Sequence, residues 1–268
     1  MQPHYSIDDL QYLMIRLRDP DTGCPWDCKQ TFTSILTYTL EEVYEVIDAV
    51  ETADYQQLCD ELGDLLFQVI FLSQLAEEQD HFDFDQVVSD VTVKLLRRHP
   101  HVFPDGTLLS RRSEGLAIDE DAISETWEAL KKVERATRSV DRTLDDIPPA
   151  LPAMQRALKL QKRASTVGFD WPSPVAVLPV VSEEIVELKE AIDNADEAAI
   201  EDEFGDLLFT CLNLSRHLGV DPERALRGAN AKFANRFEGM EELAAGRSLV
   251  DLKESDWQSL WQAVKNAE

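Results

Sequence analysis

Residues 182–216, SEEIVELKEAIDNADEAAIEDEFGDLLFTCLNLSR, read as two amphipathic helices separated by a short polar break. Ile185, Leu188 and Ile192 recur at helical spacing on the first, and Phe204, Leu207, Leu208 and Leu212 on the second. Alongside these apolar positions stand Glu183, Glu184 and Glu187, then Glu203 and Asp206. The whole block occurs, without a gap, 142 residues earlier as LEEVYEVIDAVETADYQQLCDELGDLLFQVIFLSQ, residues 40–74. There Glu41, Glu42, Glu45, Glu61, Gly63 and Asp64 take the places of Glu183, Glu184, Glu187, Glu203, Gly205 and Asp206. Packing requires helices here. It does not require the same carboxylates twice.

Working outward, other landmarks repeat in the same order. Gly23 and Trp26 of DTGCPW return as Gly168 and Trp171 of TVGFDW. Lys94 and Arg98 return as Lys232 and Arg236, and the Trp127/Lys131 spacing returns as Trp261/Lys265. A duplicated domain follows, expected over 1–140 and 150–268, with the polar and then proline-rich SVDRTLDDIPPALP (139–152) as linker. Helical periodicity is expected over 7–18, 39–50, 56–77, 85–98, 123–136 and 154–163, with Ser6 as an N-cap. Strand signals are almost absent; the best apolar run, VAVLPVV (175–181), carries a proline. The fold class is all-α, two tandem helical bundles.

Composition narrows the function. The chain has 268 residues, 44% of them hydrophobic, and a net charge of −26. Such a surface repels nucleic-acid phosphates, so no nucleic-acid partner is expected. A small phosphorylated substrate is admissible only where cations reverse the local field. No run of about 18 apolar residues suggests a membrane span. The N-terminus lacks the pattern of a secretory signal, and four cysteines are too few for a disulfide scaffold, so a reduced, cytoplasmic setting is expected. Cys24 and Cys28 are spaced C-x3-C with no second Cys/His pair nearby, which suits packed thiols better than zinc.

Residues three or four apart share a helix face, so Glu184 projects with Glu187 and Glu203 with Asp206. If the break folds the helices antiparallel, the pairs oppose and form an all-oxygen cluster suited to Mg²⁺, with Mn²⁺ as a substitute. A solvated acidic face is the plain alternative in so acidic a chain. The recurrence of the carboxylates in both repeats favours the metal site. Gly63 and Gly205 sit mid-helix, where glycine costs about 1 kcal/mol against alanine, and suggest close approach of a neighbouring helix or ligand. Candidate phosphate-binding cations are Lys232 and Arg236, one turn apart, with Lys265 and the dense Lys159, Lys162 and Arg163. Trp171 and Trp261 suit core anchoring or base stacking, with Trp261 the better stacking candidate.

These motifs resemble the MazG family of nucleoside triphosphate pyrophosphohydrolases. The resemblance rests on Glu183-Glu184-x-x-Glu187 with Glu203-x-x-Asp206, together with GCPWD-x-x-QTF (23–32), ELGDLLFQV (61–69), RRHPHVF (97–103), KRASTVGFDW (162–171), EFGDLLF (203–209) and KFANRF (232–237). It covers essentially the whole chain and points to the two-domain form. It implies an all-α homodimer that cleaves nucleoside triphosphates into monophosphate and pyrophosphate with Mg²⁺. It also implies broad base tolerance and a role in nucleotide-pool housekeeping or stress. By motif, Glu184, Glu187, Glu203 and Asp206 would hold the metal. Lys232, Arg236 and Lys265 would contact phosphates, and Trp261 would pack on or near the nucleotide. Glu183 is the candidate general base. The C-terminal half is generally credited with activity in such proteins, yet Glu42, Glu45, Glu61 and Asp64 form an intact second set. A carboxylate di-iron bundle fits poorly, because it wants Glu-x-x-His on two helices. A non-enzymatic dimer with vestigial carboxylates is the other reading.

Overall fold

A computed structural model of the chain describes residues 4–112, 142–244, 250 and 252–267. Among these there are helices and turns and no strands. The chain divides into two compact units, Met1–Lys131 and Lys132–Glu268. The helix expected over 123–136, with Trp127 and Lys131, lies outside the described residues.

In the first unit α1 (Ile7–Leu17) opens on a capping box between Ser6 and Asp9. A 3₁₀ turn (Asp27–Lys29) leads to α2 (Phe32–Glu51), α3 (Tyr55–Glu77) and α4 (Phe84–Arg98). α2 pairs with α3, and α1 and α4 also pack on α3. Helix α2 starts seven residues before its expected start at 39, because Thr31 and Ser34 form a capping box in which serine replaces the usual glutamate. Met14, Ile35, Ile70, Phe71 and Leu75 form the core, with Phe67 and Leu10 packed against it. Cys28 is a free, partly buried thiol, its Sγ lying 3.4 Å from the Asp19 carbonyl and 3.6 Å from that of Leu17.

The second unit contains α5 (Ala153–Ser165), α6 (Pro174–Asp193), α7 (Glu197–His217), α8 (Pro222–Leu243) and α9 (Glu254–Ala267). Here α6 pairs with α7, α5 packs on α7, and α8 pairs with α9. The VAVLPVV run is helical: Ser173 caps α6 and Pro179 lies inside it. The second half of the expected linker is not a free connection. Ile147 is buried, and Asp146 accepts a two-pronged ion pair from Arg163.

The acidic hairpins α2–α3 and α6–α7 turn in the same way. Asp54 N–H donates to Ala49 O and Ala53 N–H to Val50 O, while Asp196 N–H donates to Ala191 O and Ala195 N–H to Ile192 O. This is the six-to-one, five-to-two ending of a helix with a left-handed residue after its cap. That residue is alanine in both, with φ of 56° at Ala53 and 52° at Ala195. The aspartate that follows each alanine then caps the next helix. One tight turn thus ends one helix and starts its antiparallel partner, which sets the two carboxylate motifs face to face.

Candidate functional site

The turn brings three carboxylates together in each unit. Ligand oxygens of Glu184, Glu187 and Glu203 lie within 4.8 Å of one another, as do those of Glu42, Glu45 and Glu61. Partial burial raises the Glu184 carboxyl above its ordinary value, and the charges of Asp206 and Glu187 push it further the same way. Glu203 is raised by desolvation and then by Glu187, Asp202 and Asp206. Asp206 therefore belongs to the cluster electrostatically. In the first unit Glu45 and Glu61 are raised for the same reasons, desolvation first. Carboxylates crowded and partly dehydrated in this way are a donor set that favours a hard divalent cation.

A buried polar side chain sits beneath each cluster. Thr210 Oγ1 donates to Glu184 Oε1 at 3.4 Å, and its repeat counterpart Gln68 donates through Nε2 to Glu42 Oε1 at 3.4 Å. Beyond these positions the units diverge. In the second unit, Thr210 borders a cavity of about 630 Å³. Leu160 and Gln161 of α5, Val180 of α6, and Phe209 and Asn213 of α7 line it, and Phe169 and Trp171 complete the mouth from the α5–α6 loop. One corner is polar, with Arg216 donating to Asp170 and to Asn213 Oδ1, and His217 Nε2 lying 2.9 Å from Asp170. In the first unit the place of Asn213 is taken by Phe71, which is 1% exposed and belongs to the core with Met14.

The structure places the expected cations as follows. Lys232, Arg236 and Lys265 lie on the α8–α9 hairpin, where the Arg236 guanidinium sits 5.6 Å from the Trp261 ring centre. Trp261 also packs on Phe233, and Trp257 on Phe237, around an open apolar groove of about 300 Å³. Lys162 is exposed on α5. Arg163 is committed to Asp146 and the Thr143 carbonyl, which gives it a structural task. Trp171 lines the cavity next to the carboxylates, a placement its sequence pattern did not reveal. The helix half of the glycine expectation is corrected: a Cβ at Gly63 or Gly205 meets nothing within 4 Å, so among the described residues no helix approaches closely there. Nor are the apolar faces of α6 and α7 fully covered. Leu212 is buried, but Ile185, Ile192, Phe204 and Leu208 are each more than half exposed.

Comparison with known proteins gives the same two-part organisation. The family model for the MazG nucleotide pyrophosphohydrolase domain matches residues 30–103 and again 173–240. The chain is 48% identical to a nucleoside triphosphate pyrophosphohydrolase of Escherichia coli strain K12, over 98% of each protein. It is 41% identical to the nucleoside triphosphate pyrophosphohydrolase/pyrophosphatase MazG of Thermotoga maritima, over 98% of this chain and 96% of that one. Both α2–α3 and α6–α7 fall inside the matched segments, and so do both carboxylate clusters. The chain belongs to the MazG nucleotide pyrophosphohydrolase family.

Proposed function

We propose that the second unit hydrolyses nucleoside triphosphates to the monophosphate and pyrophosphate, with broad base tolerance, at the cluster of Glu184, Glu187, Glu203 and Asp206. The observation that carries this reading is the meeting of three carboxylates within 4.8 Å beside a ligand-sized cavity. The two similar proteins named for this activity support it. The donor set fits Mg²⁺ or Mn²⁺, held by Glu184, Glu187, Glu203 and Asp206. When bound, such a cation neutralises phosphate charge and lowers the pKa of a coordinated water.

The rest of the work falls to side chains. Glu183 neighbours Glu184 and lies one turn before Glu187, outside the trio, free to accept a proton from the attacking water. The water oxygen bonds to the α-phosphorus, the bond from that phosphorus to the bridging oxygen breaks, and pyrophosphate leaves with the electron pair. Lys232, Arg236 and Lys265 supply positive charge for the phosphates, and Lys162 adds to it from α5. In so acidic a chain this local reversal of field is what admits the substrate.

The uncovered apolar residues of α6 and α7 support a homodimer in which a second copy covers them. The expected partners are nucleotides and that second copy, in the cytoplasm where the nucleotide pool lies and where housekeeping or stress responses act on it. Pyrophosphate release from ATP, GTP, CTP and UTP with Mg²⁺ tests the reading. Glu203→Gln is expected to lose turnover at least a thousandfold while keeping its helical circular dichroism. Turnover by that variant at the wild-type rate would exclude the site.

A further inference from the structure

The segment that precedes α5 is built as a strap. Arg142 N–H donates to Asp145 Oδ2 at 3.2 Å and Ile147 N–H to the Leu144 carbonyl at 3.2 Å, so residues 142–147 close on themselves in compact turns. Ile147 is buried at one end, and Pro148, Pro149 and Pro152 then stiffen the path into the helix. Leu144, in the middle, is 43% exposed and belongs to the wall of the 630 Å³ cavity. Arg163 clasps the segment. Its Nη1 donates to the Thr143 carbonyl at 3.1 Å and to Asp146 Oδ1 at 2.5 Å, and its Nη2 to Asp146 Oδ2 at 3.0 Å. The two side chains are only 17% and 25% exposed, so this is a shielded, two-pronged pair and not a loose surface contact.

The repeat shows that this clasp is a departure from the shared scaffold. Arg18 precedes Gly23 by five residues, as Arg163 precedes Gly168. Arg18 makes its two-pronged pair with Glu78, at the end of α3, with distances of 2.7 and 2.6 Å. Its guanidinium lies 5.3 Å from the ring centre of the core residue Phe71. In the second unit Val220 stands 142 residues after Glu78, so α7 offers no such acid. The arginine that locks a filled core in one unit thus takes its carboxylate from the connecting segment in the other. What it holds there is separable from the bundle. Leu144 buries little apolar surface, so little opposes its leaving, and the buried Ile147 is the point on which the strap swings.

We propose that residues 142–147 are a hinged strap on the cavity of the second unit, clasped by Arg163 and Asp146, whose opening sets how fast a ligand enters and leaves. The inference rests on the triphosphate hydrolase reading above and adds how access to that site is controlled. The cavity keeps its volume with Leu144 in place, so the strap walls the space without filling it. A ligand is therefore held with the strap down as readily as the strap closes on the empty site. Opening then changes both rates together and leaves the affinity nearly alone, as for a gate in front of a preformed site. The segment that carries this gate is also the one that joins the two repeats.

The test follows binding of α,β-methylene ATP, whose α–β linkage resists cleavage, to the full-length protein with Mg²⁺ by stopped flow. Asp146→Asn, which removes the charge from the clasp, is expected to raise the association and dissociation rates each at least fivefold. The dissociation constant should stay within threefold of wild type. Exchanging the pair, Asp146→Arg with Arg163→Asp, is expected to bring both rates back within twofold of wild type, which a plain loss of packing would not do. Thermolysin cleavage before Leu144, followed by mass spectrometry without ligand, should be at least fivefold faster in Asp146→Asn. Unchanged rates overturn the proposal, whether or not cleavage quickens. So does a rise in the dissociation rate alone, which would make Leu144 a simple ligand contact, or an exchanged pair that restores nothing. If wild type binds no α,β-methylene ATP, the triphosphate reading itself has failed and the strap's role falls with it.

Discussion

The two repeats share a hairpin, a turn and a carboxylate trio, and differ in what lies beside the trio. In the first unit Phe71 and Met14 close the space between α1 and α3 into solid core. In the second, Gln161 and Asn213 stand around an open cavity. At this matched position the duplicated scaffold carries packed core in one copy and an open cavity in the other. The carboxylate trio is retained in both, but an organic ligand needs space next to it. The carboxylates alone do not separate the copies. The face one turn farther along α3 and α7 does.

Paired substitutions at matched positions break that comparison most directly. Asp206→Asn is expected to abolish pyrophosphate release, a loss of a thousandfold or more, equivalent to about 4 kcal/mol of transition-state stabilisation. Asp64→Asn, its counterpart 142 residues earlier, is expected to change kcat/KM less than twofold. Steady-state kinetics on both variants checks this, and equal losses would show that the first unit also turns over.

Next in size is the filled core. Phe71→Ala removes a fully buried ring that packs edge-on to Phe67, with ring centres 6.0 Å apart, and lies beneath the Arg18 guanidinium. The expected cost is about 3–5 kcal/mol, from lost burial plus the void left behind. Calorimetry should show the first unit melting earlier, while kcat on ATP at 25 °C stays near wild type. A drop in kcat as large as that of Asp206→Asn would couple the units far more tightly than their separate cores suggest.

Much of this was legible in the sequence, for reasons tied to particular residues. The repeat raised Glu184, Glu187, Glu203 and Asp206 above an acidic background, and the structure brings the three glutamates within 4.8 Å. Helix α3 ended at Glu77 as its periodicity indicated. The early start of α2 was hidden, because its Thr31–Ser34 box lacks the acidic residue that marks such a cap. The cavity was hidden for a deeper reason. Periodicity assigns a residue to a face, whereas a void depends on whether side chains from α5, α6 and α7 meet, so Gln161 and Asn213 read as ordinary polar helix residues. Leu144 was equally silent, since it reaches the cavity from an irregular segment, while Trp171 stood out as an anchoring or stacking ring without a place to put it.

A smaller effect belongs to the polar corner of the cavity. The Arg216 guanidinium is the main cause holding the Asp170 carboxyl below its ordinary value, with help from the Trp171 N–H and His217. A depressed carboxylate stabilises the fold above its unfolded pKa of 3.8, and that contribution is lost as pH falls through the lower folded value. Asp170→Asn should therefore cost about 1–2 kcal/mol at neutral pH, because a half-buried guanidinium loses its charged partner. The gap between variant and wild type should close below pH 3.8. Urea melts across pH check the sign, and a gap that widens in acid would contradict it.

The smallest expected effect tests what the repeats still share. Ala53 and Ala195 hold the same left-handed conformation at the same place in matching turns. Such a conformation costs an alanine about 1–2 kcal/mol that glycine escapes. Glycine gives back part of that gain, about 0.4–1 kcal/mol, through the greater freedom of its unfolded chain. Ala53→Gly and Ala195→Gly should thus each stabilise by about 0.5 kcal/mol, and by the same amount, because both turns carry the same pair of backbone hydrogen bonds. Thermal melts of the two variants decide it. Unequal shifts would mean that the divergence seen at Phe71 and Asn213 has spread back along the helices into the turns that set the carboxylates face to face.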